Sequence, residues 1–344
     1  MSIMTSVRRS LPVAALAAAF AFTPVALAQD ATPGVTPTPY EAPADLAELS
    51  GEINADGSST VGPLTTVASE NFFEVAPNVN ISVNVSGTGG GFESFCNGDT
   101  DIQNASRGIA DDEVALCAEN GVDYYQFTVA YDGVVVVVPT SNTFLTSLTT
   151  EQLRQIWMGE ITNYNELDPS YPDLEISLFG PDDQSGTFDF FNEEILGEDE
   201  AGEVITPAAD YEPSSDDNTL VEGVAGTEGG LGYFGFAYYE ENQDRLNVVS
   251  LSEEGGEPVA PSLETISDGS YAPLSRSLYV FVSAASLSEN VALQEFLRYY
   301  IASAGELALS IGSVAAPGEA YVEDQEKLEG AISGEIAPDS QAAA

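Results

Sequence analysis

Residues 80–96 read NISVNVSGTGGGFESFC, and their pattern changes period halfway through. Residues 80–85 alternate apolar and polar side chains, the period of two that a half-buried strand requires. SGTGGG (86–91) breaks that alternation, and Phe92, Phe95 and Cys96 then recur at i, i+3 and i+4, along one helix face. A strand that passes through Ser, Thr and Gly straight into a helix is the first half of a βαβ unit.

The same junction recurs along the chain. Residues 57–60 (GSST) precede Val61, Leu64, Val67 and Ala68, helical spacing behind a capping residue. Thr149 and Gln152 have the spacing of a capping box ahead of Leu153, Ile156 and Trp157. Residues 174–179 alternate, and PDDQSGT then leads into FDFFNEEIL. The uninterrupted VVVVV at 134–138 fits a strand covered on both faces, and LYVFVS at 278–283 supplies a late strand. Strands alternating with helices predict an α/β fold with mixed, largely parallel sheets flanked by helices. Ligands of such sheets bind at the loops after the strands' carboxyl ends. Three Ser/Thr/Gly loops stand there, at 57–61, 86–90 and 184–188, and Arg107 follows a fourth candidate strand in DIQNASR.

Charge narrows the function. The chain carries 56 acidic residues against 8 basic ones and no histidine, a formal net charge of −48. Arg8 and Arg9, the apolar run 11–27 and the Ala-Leu-Ala at 26–28 form a secretory signal peptide, with cleavage expected near Ala28-Gln29. Pro12 and Pro24 interrupt that run, and it is short for a membrane span. A periplasmic or secreted location is therefore expected. All the acids lie beyond the leader, so long-range repulsion opposes nucleic acid and anionic membranes as partners, and neither is expected. Residues 29–49 read as a Pro/Thr-rich linker and 334–344 as a flexible polar tail. Cys96 and Cys117, in an exported chain, most simply form one disulfide, whose closed loop contains Arg107.

Catalytic chemistry has little to work with. Without histidine there is no Ser-His-Asp triad and no histidine metal site. Lys327 is the only lysine, and no GxxxxGK[ST] occurs, which excludes a P-loop hydrolase. Asp99-x-Asp101-x-Gln103 starts like a calcium loop but has Asn104 at the glycine position and Ala110 at the glutamate position. No cofactor or metal is expected, and the protein is read as no enzyme. Helix N-termini with Ser, Thr and Gly do suit a tetrahedral oxyanion, since they offer unpaired N–H groups, hydroxyl donors and close backbone approach. Arg107 would add a bidentate pair.

At these residues the chain resembles the phosphate-binding proteins that serve bacterial phosphate ABC transporters. The matching segments run in order from GSSTVGPL (57–64) through SGTGGGFESFCNGDTDIQNASRGI (86–109), YDGVVVVVP (131–139), LTTEQLRQIWMGEITNYNEL (148–167), GPDDQSGTFDFF (180–191) and GGLGYFGFAYY (229–239) to YAPLSRSLYVFV (271–282). The resemblance implies a two-lobed, type II periplasmic-binding-protein fold. Lobe 1 would span 50–136 plus 275–333 and lobe 2 would span 137–274, joined by two hinge crossings. It implies a monomeric, high-affinity receptor that closes over inorganic phosphate and delivers it to an ABC permease without chemistry. Carried over, Thr60, Val61 and Thr88 would bind from the first lobe and Ser185, Gly186 and Thr187 from the second. Some members place an aspartate where Arg107 stands and an arginine where Pro181 stands, so the resemblance points to a branch with its arginine in the first lobe. A carboxylate acceptor favours phosphate, which keeps a proton, over sulfate. Asp132 is the first candidate for that role, with Asp182 or Asp183 behind it. The alternatives are a receptor for another tetrahedral oxyanion such as sulfate, and a secreted phosphatase-like hydrolase using Ser185 or Thr60.

Overall fold

The computed structural model describes residues 36–183, 185–199, 204–253 and 255–341, so the signal-peptide expectation lies outside the described residues. Its strands are β1 (Ser50–Gly57), β2 (Asn78–Val83), β3 (Ile102–Ala105), β4 (Tyr124–Pro139), β5 (Ser147–Thr149), β6 (Ser177–Pro181), β7 (Glu212–Ser214), β8 (Gly230–Gly235), β9 (Leu246–Ser252) and β10 (Ser275–Ser283). The helices are α1 (Gly62–Phe73), α2 (Gly87–Cys96), α3 (Asp111–Asn120), α4 (Thr150–Trp157), α5 (Tyr164–Leu167), α6 (Gly186–Phe191), α7 (Asp217–Gly226), α8 (Phe236–Glu241), α9 (Leu263–Ser267), α10 (Ala284–Glu289), α11 (Val291–Ser310) and α12 (Gly318–Ser333). A π-type turn over Asn192–Leu196 continues α6.

Strand order is β2-β1-β3-β10-β4-β8-β6-β7, with β9 on β4 and β5 on β9. β1 pairs in parallel with β2 and β3, as β6 does with β7 and β8, which is the βαβ arrangement read from the loops. β10 and β4 run antiparallel through the middle. The long β4 belongs to both lobes. Residues 124–133 pair with β10, while Val134–Val137 pair with β8 and Val136–Pro139 with β9. The five valines at 134–138 are all fully buried, so the uninterrupted apolar run does mark a strand covered on both faces. Each such side chain contributes about 1.5 kcal/mol of transfer free energy.

Two main cores result, one per lobe. The first packs Ile53, Leu64, Phe72, Phe127, Val280, Phe296 and Tyr300 between α1, α11 and the sheet. The second packs the 134–138 run against Leu153, Ile156, Trp157, Phe191 and Tyr233. Trp157 meets the Tyr233 ring edge-on at 4.8 Å, and Phe191 stacks flat on Tyr233 at 3.8 Å. Along β4 the division between cores falls between Ala130 and Val134. A smaller cluster of Phe92, Phe95, Tyr124 and Phe281 surrounds the Cys96–Cys117 disulfide, which ties α2 to α3.

Two expectations change. The linker, in its described part, docks on the first lobe: Thr38 and Gln325 exchange backbone-to-side-chain hydrogen bonds at 2.9 and 2.7 Å, and Tyr40 packs edge-on against Tyr299. The tail from Gly334 is also held in its described part, because β4 needs partners for its outer edge. Asp339 accepts from the Gln126 N–H at 2.7 Å, and the Tyr125 hydroxyl donates to the Ile336 carbonyl at 3.0 Å. Polar composition alone does not reveal that a tail carboxylate satisfies a strand-edge N–H.

Candidate functional site

The cleft between the lobes has a volume of about 580 Å³ and is walled by the loops that the sequence singled out. Residues 58–60 follow β1, residues 86–90 follow β2 and residues 106–108 follow β3 on one side. Gly186, Asp189, Phe190, Glu193 and Glu194 face them from α6 and its π-type extension, and Ser275–Ser277 of β10 close the floor. A smaller opening of about 250 Å³ shares Ser59, Thr60 and Gly186 with the cleft and is bordered by Asp132, Asp182, Ser185 and Thr187.

Each loop is braced from beneath. Asp56, buried at the end of β1, accepts from Gly57 N–H at 2.8 Å and Ser86 N–H at 3.1 Å, which fixes the first two loops relative to one another. Ser58 Oγ accepts from Thr60 N–H at 3.1 Å and Val61 N–H at 3.4 Å. The backbone donors of both residues are thus engaged by a serine cap, and Val61 itself is fully buried. Thr88 Oγ1 lies 2.9 Å from Ser106 Oγ, and Thr88 C=O accepts from Gln103 Nε2 at 2.8 Å, knitting the second loop to the third. α2 starts without a side-chain cap, so the N–H groups of its first turn stay available along the cleft. Across the cleft, Ser185 Oγ caps α6 by accepting from Thr187 N–H at 3.2 Å. Ser59 Oγ donates to Asp189 Oδ2 at 3.2 Å, a contact between the lobes. Gly186 is required here: a Cβ would stand 2.6 Å from Thr60 Oγ1.

Two arginines line the cleft. Arg107 is half exposed and bound bidentately by Glu113, at 2.8 Å to each carboxylate oxygen. This partner pushes its pKa further up. Arg276, which pattern reading did not single out, is the more buried of the two. Its Nε and Nη2 donate to Asp132 Oδ2 at 3.2 and 3.1 Å, and Nη2 also donates to Thr60 Oγ1 at 2.8 Å and Gly186 C=O at 3.4 Å. Its guanidinium lies 3.6 Å from the Phe190 ring centroid, within cation–π range. Arg276 therefore touches both lobes, and Asp132 is its carboxylate partner. The available signal was arithmetic: only six basic side chains lie beyond the leader, and this one opens a central strand.

Glu193 and Glu194 on the second wall titrate above the usual carboxylate range because burial outweighs nearby positive charge. Arg276 opposes the rise at both, and Arg107 also opposes it at Glu193. Three of the four other bases beyond the leader are engaged elsewhere: Arg245 with Glu222, Arg298 with Glu295 and Glu329, and Lys327 with Asp339. Asp182 and Asp183 lie at the β6–α6 turn, where Ser185 N–H donates to Asp182 C=O at 3.1 Å. Chemically, the arrangement offers hydroxyls, helix-start N–H groups and two guanidinium groups around one cleft.

A model of the PBP superfamily domain matches residues 42–304. The chain belongs to the PBP superfamily. Within it, the chain belongs to the family of the phosphate-binding protein PstS. It is 39% identical over 289 residues to that protein from Staphylococcus saprophyticus, covering 84% of this chain and 88% of the relative. It is 41% identical over 279 residues to protein SphX of Synechocystis sp., covering 80% and 81%. The crystal structure of a possible phosphate binding protein from Planctomyces limnophilus superposes with a TM-score of 0.76 at 37% identity, over 83% of this chain and 99% of that one. An ABC-type phosphate transport receptor from Vibrio cholerae, at 21% identity and a TM-score of 0.61, shares the fold over 77% of this chain and 99% of its own. The two-lobed α/β architecture expected from the sequence is the one that these family members share. Among the described residues, no helix is long and apolar enough to cross a membrane.

Proposed function

We propose that this protein is an exported receptor that binds inorganic phosphate in the interlobe cleft and hands it to an ABC permease, without catalysing a reaction. The carrying observation is that residues 58–60, residues 86–90 and Gly186, from both lobes, line one cleft with Arg107 and Arg276, while Ser185 and Thr187 border the smaller opening that adjoins it. Family membership supports the choice of ligand. Thr60, Thr88, Arg107, Ser185, Gly186 and Thr187 would hold the anion, with Val61 shaping the first loop. Arg276, held by Asp132, would supply the charge at the centre. Its Nη1 donors have no partner among the described residues, so they remain for an oxyanion. Asp132 Oδ1, likewise without a described partner, would accept the proton that phosphate carries and sulfate lacks. Cleavage near Ala28-Gln29 would release the receptor as a monomer into the periplasm or the surroundings.

Thermal unfolding with and without ligand tests this reading. Millimolar phosphate should raise the midpoint by several degrees through binding to the folded state alone, with sulfate at equal ionic strength giving no shift. Equal shifts would favour the broader oxyanion receptor. Absence of any shift, with turnover of a phosphate ester, would favour the hydrolase.

A further inference from the structure

Arg107 enters the cleft with a carboxylate already on it, which is an odd arrangement beside an anion site. Glu113 cancels much of the arginine's charge, so its presence needs a compensating role. The donor geometry supplies one. A guanidinium has five N–H donors in a planar fork. Glu113 takes the end-on pair, one from Nη1 and one from Nη2, each at 2.8 Å. The second Nη1–H donates to Gly108 C=O at 3.0 Å. What remains, among the described residues, is Nε–H and the other Nη2–H. These two lie side by side on one edge and form a ready fork for two oxygens of a tetrahedral anion. Nη2 is also the guanidinium atom beside Gly89, in the glycine loop that lines the cleft.

Glu113 is itself held firmly. Its Oε2 accepts from Ala110 N–H at 2.8 Å at the start of α3, and its side chain is mostly buried. One helical turn later on the same face, Cys117 is bonded to Cys96 of α2, so the disulfide fixes the helix that carries the carboxylate. Phe92 lies under the guanidinium at 5.6 Å.

We propose that Glu113 is a positioning residue for ligand binding: by occupying the end of the Arg107 guanidinium, it turns the Nε/Nη2 edge to the bound anion. This deepens the phosphate-receptor reading and rests on it. The proposal has a sign that simple electrostatics does not share. Removing a negative charge near an anion site should tighten binding if charge alone matters, whereas loss of a positioning contact should loosen it.

The test is a double-mutant cycle on phosphate affinity, read alongside urea unfolding in the absence of phosphate. Glu113→Gln is expected to weaken phosphate binding about 10-fold in the otherwise unchanged protein, and to leave affinity unchanged or slightly improved in an Arg107→Ala background. Glu113→Gln that leaves affinity unchanged or tighter in the unchanged protein would overturn the proposal. So would an equal weakening in both backgrounds, which would mark a structural role that the urea midpoint would also register. If the unchanged protein bound sulfate and phosphate alike, the proposal would survive for the shared anion; if it bound neither, the receptor reading and this inference would fall together.

Discussion

At Arg276 one side chain meets Asp132, Thr60, the Gly186 carbonyl and the face of Phe190, and so joins both lobes at the cleft. Truncating it would strand a carboxylate that is 7% exposed, a loss of about 3 kcal/mol in stability. Arg276→Ala is therefore expected to lower the urea midpoint and abolish measurable phosphate binding; Arg276→Lys keeps the charge without the fork and should recover only part of each. Arg107→Ala should weaken phosphate binding about 10- to 100-fold, by loss of charge-assisted hydrogen bonds. Arg245→Ala, which breaks only a surface pair with Glu222, should change affinity less than about twofold. Equal, small losses from Arg107 and Arg245 would contradict the site. Arg107 was legible because it follows a Ser/Thr/Gly loop and a strand. Arg276 was not, because its role depends on β10 lying between β3 and β4, and no local pattern encodes that order.

Among the elements, β4 shows how far periodicity reaches. Its valine run announced a buried strand, but the satisfaction of its outer edge by the C-terminal segment did not appear in any window of sequence. There Asp324 accepts from Thr128 N–H at 2.7 Å, and burial pushes its carboxyl up to about 7, against the pull of Thr128 and Lys327. The folded chain thus keeps a proton that the unfolded chain releases near the ordinary value of 3.8. Stability from this group is complete below that value and is lost as pH rises through about 7. Asp324→Asn should therefore gain stability relative to the parent between pH 4 and pH 8, measured by urea unfolding at both ends. A difference independent of pH would contradict this. The disulfide is a second element-scale device: joint Cys96→Ser and Cys117→Ser replacement should cost about 3 kcal/mol in the chain-entropy account. The capping box at Thr149 and Gln152, by contrast, was fully readable, and both of its hydrogen bonds are present at 3.0 and 3.1 Å.

Across the whole molecule, a formal charge of −48 opposes the approach of any anion. In the proposed receptor the cleft would overcome this only at short range, through oriented donors and two guanidinium groups. Added salt should accordingly speed capture: the association rate for phosphate is expected to rise several-fold as the screening length falls from about 30 Å at 0.01 M salt to about 8 Å at 0.15 M. A falling rate, measured by stopped flow, would mean that local positive charge dominates the approach. The most direct test of the central claim is calorimetric titration of the protein with phosphate and then with sulfate, at fixed pH and moderate salt. Saturable binding of one phosphate per chain, with sulfate silent, is the expected result; no saturable heat from phosphate would contradict the account.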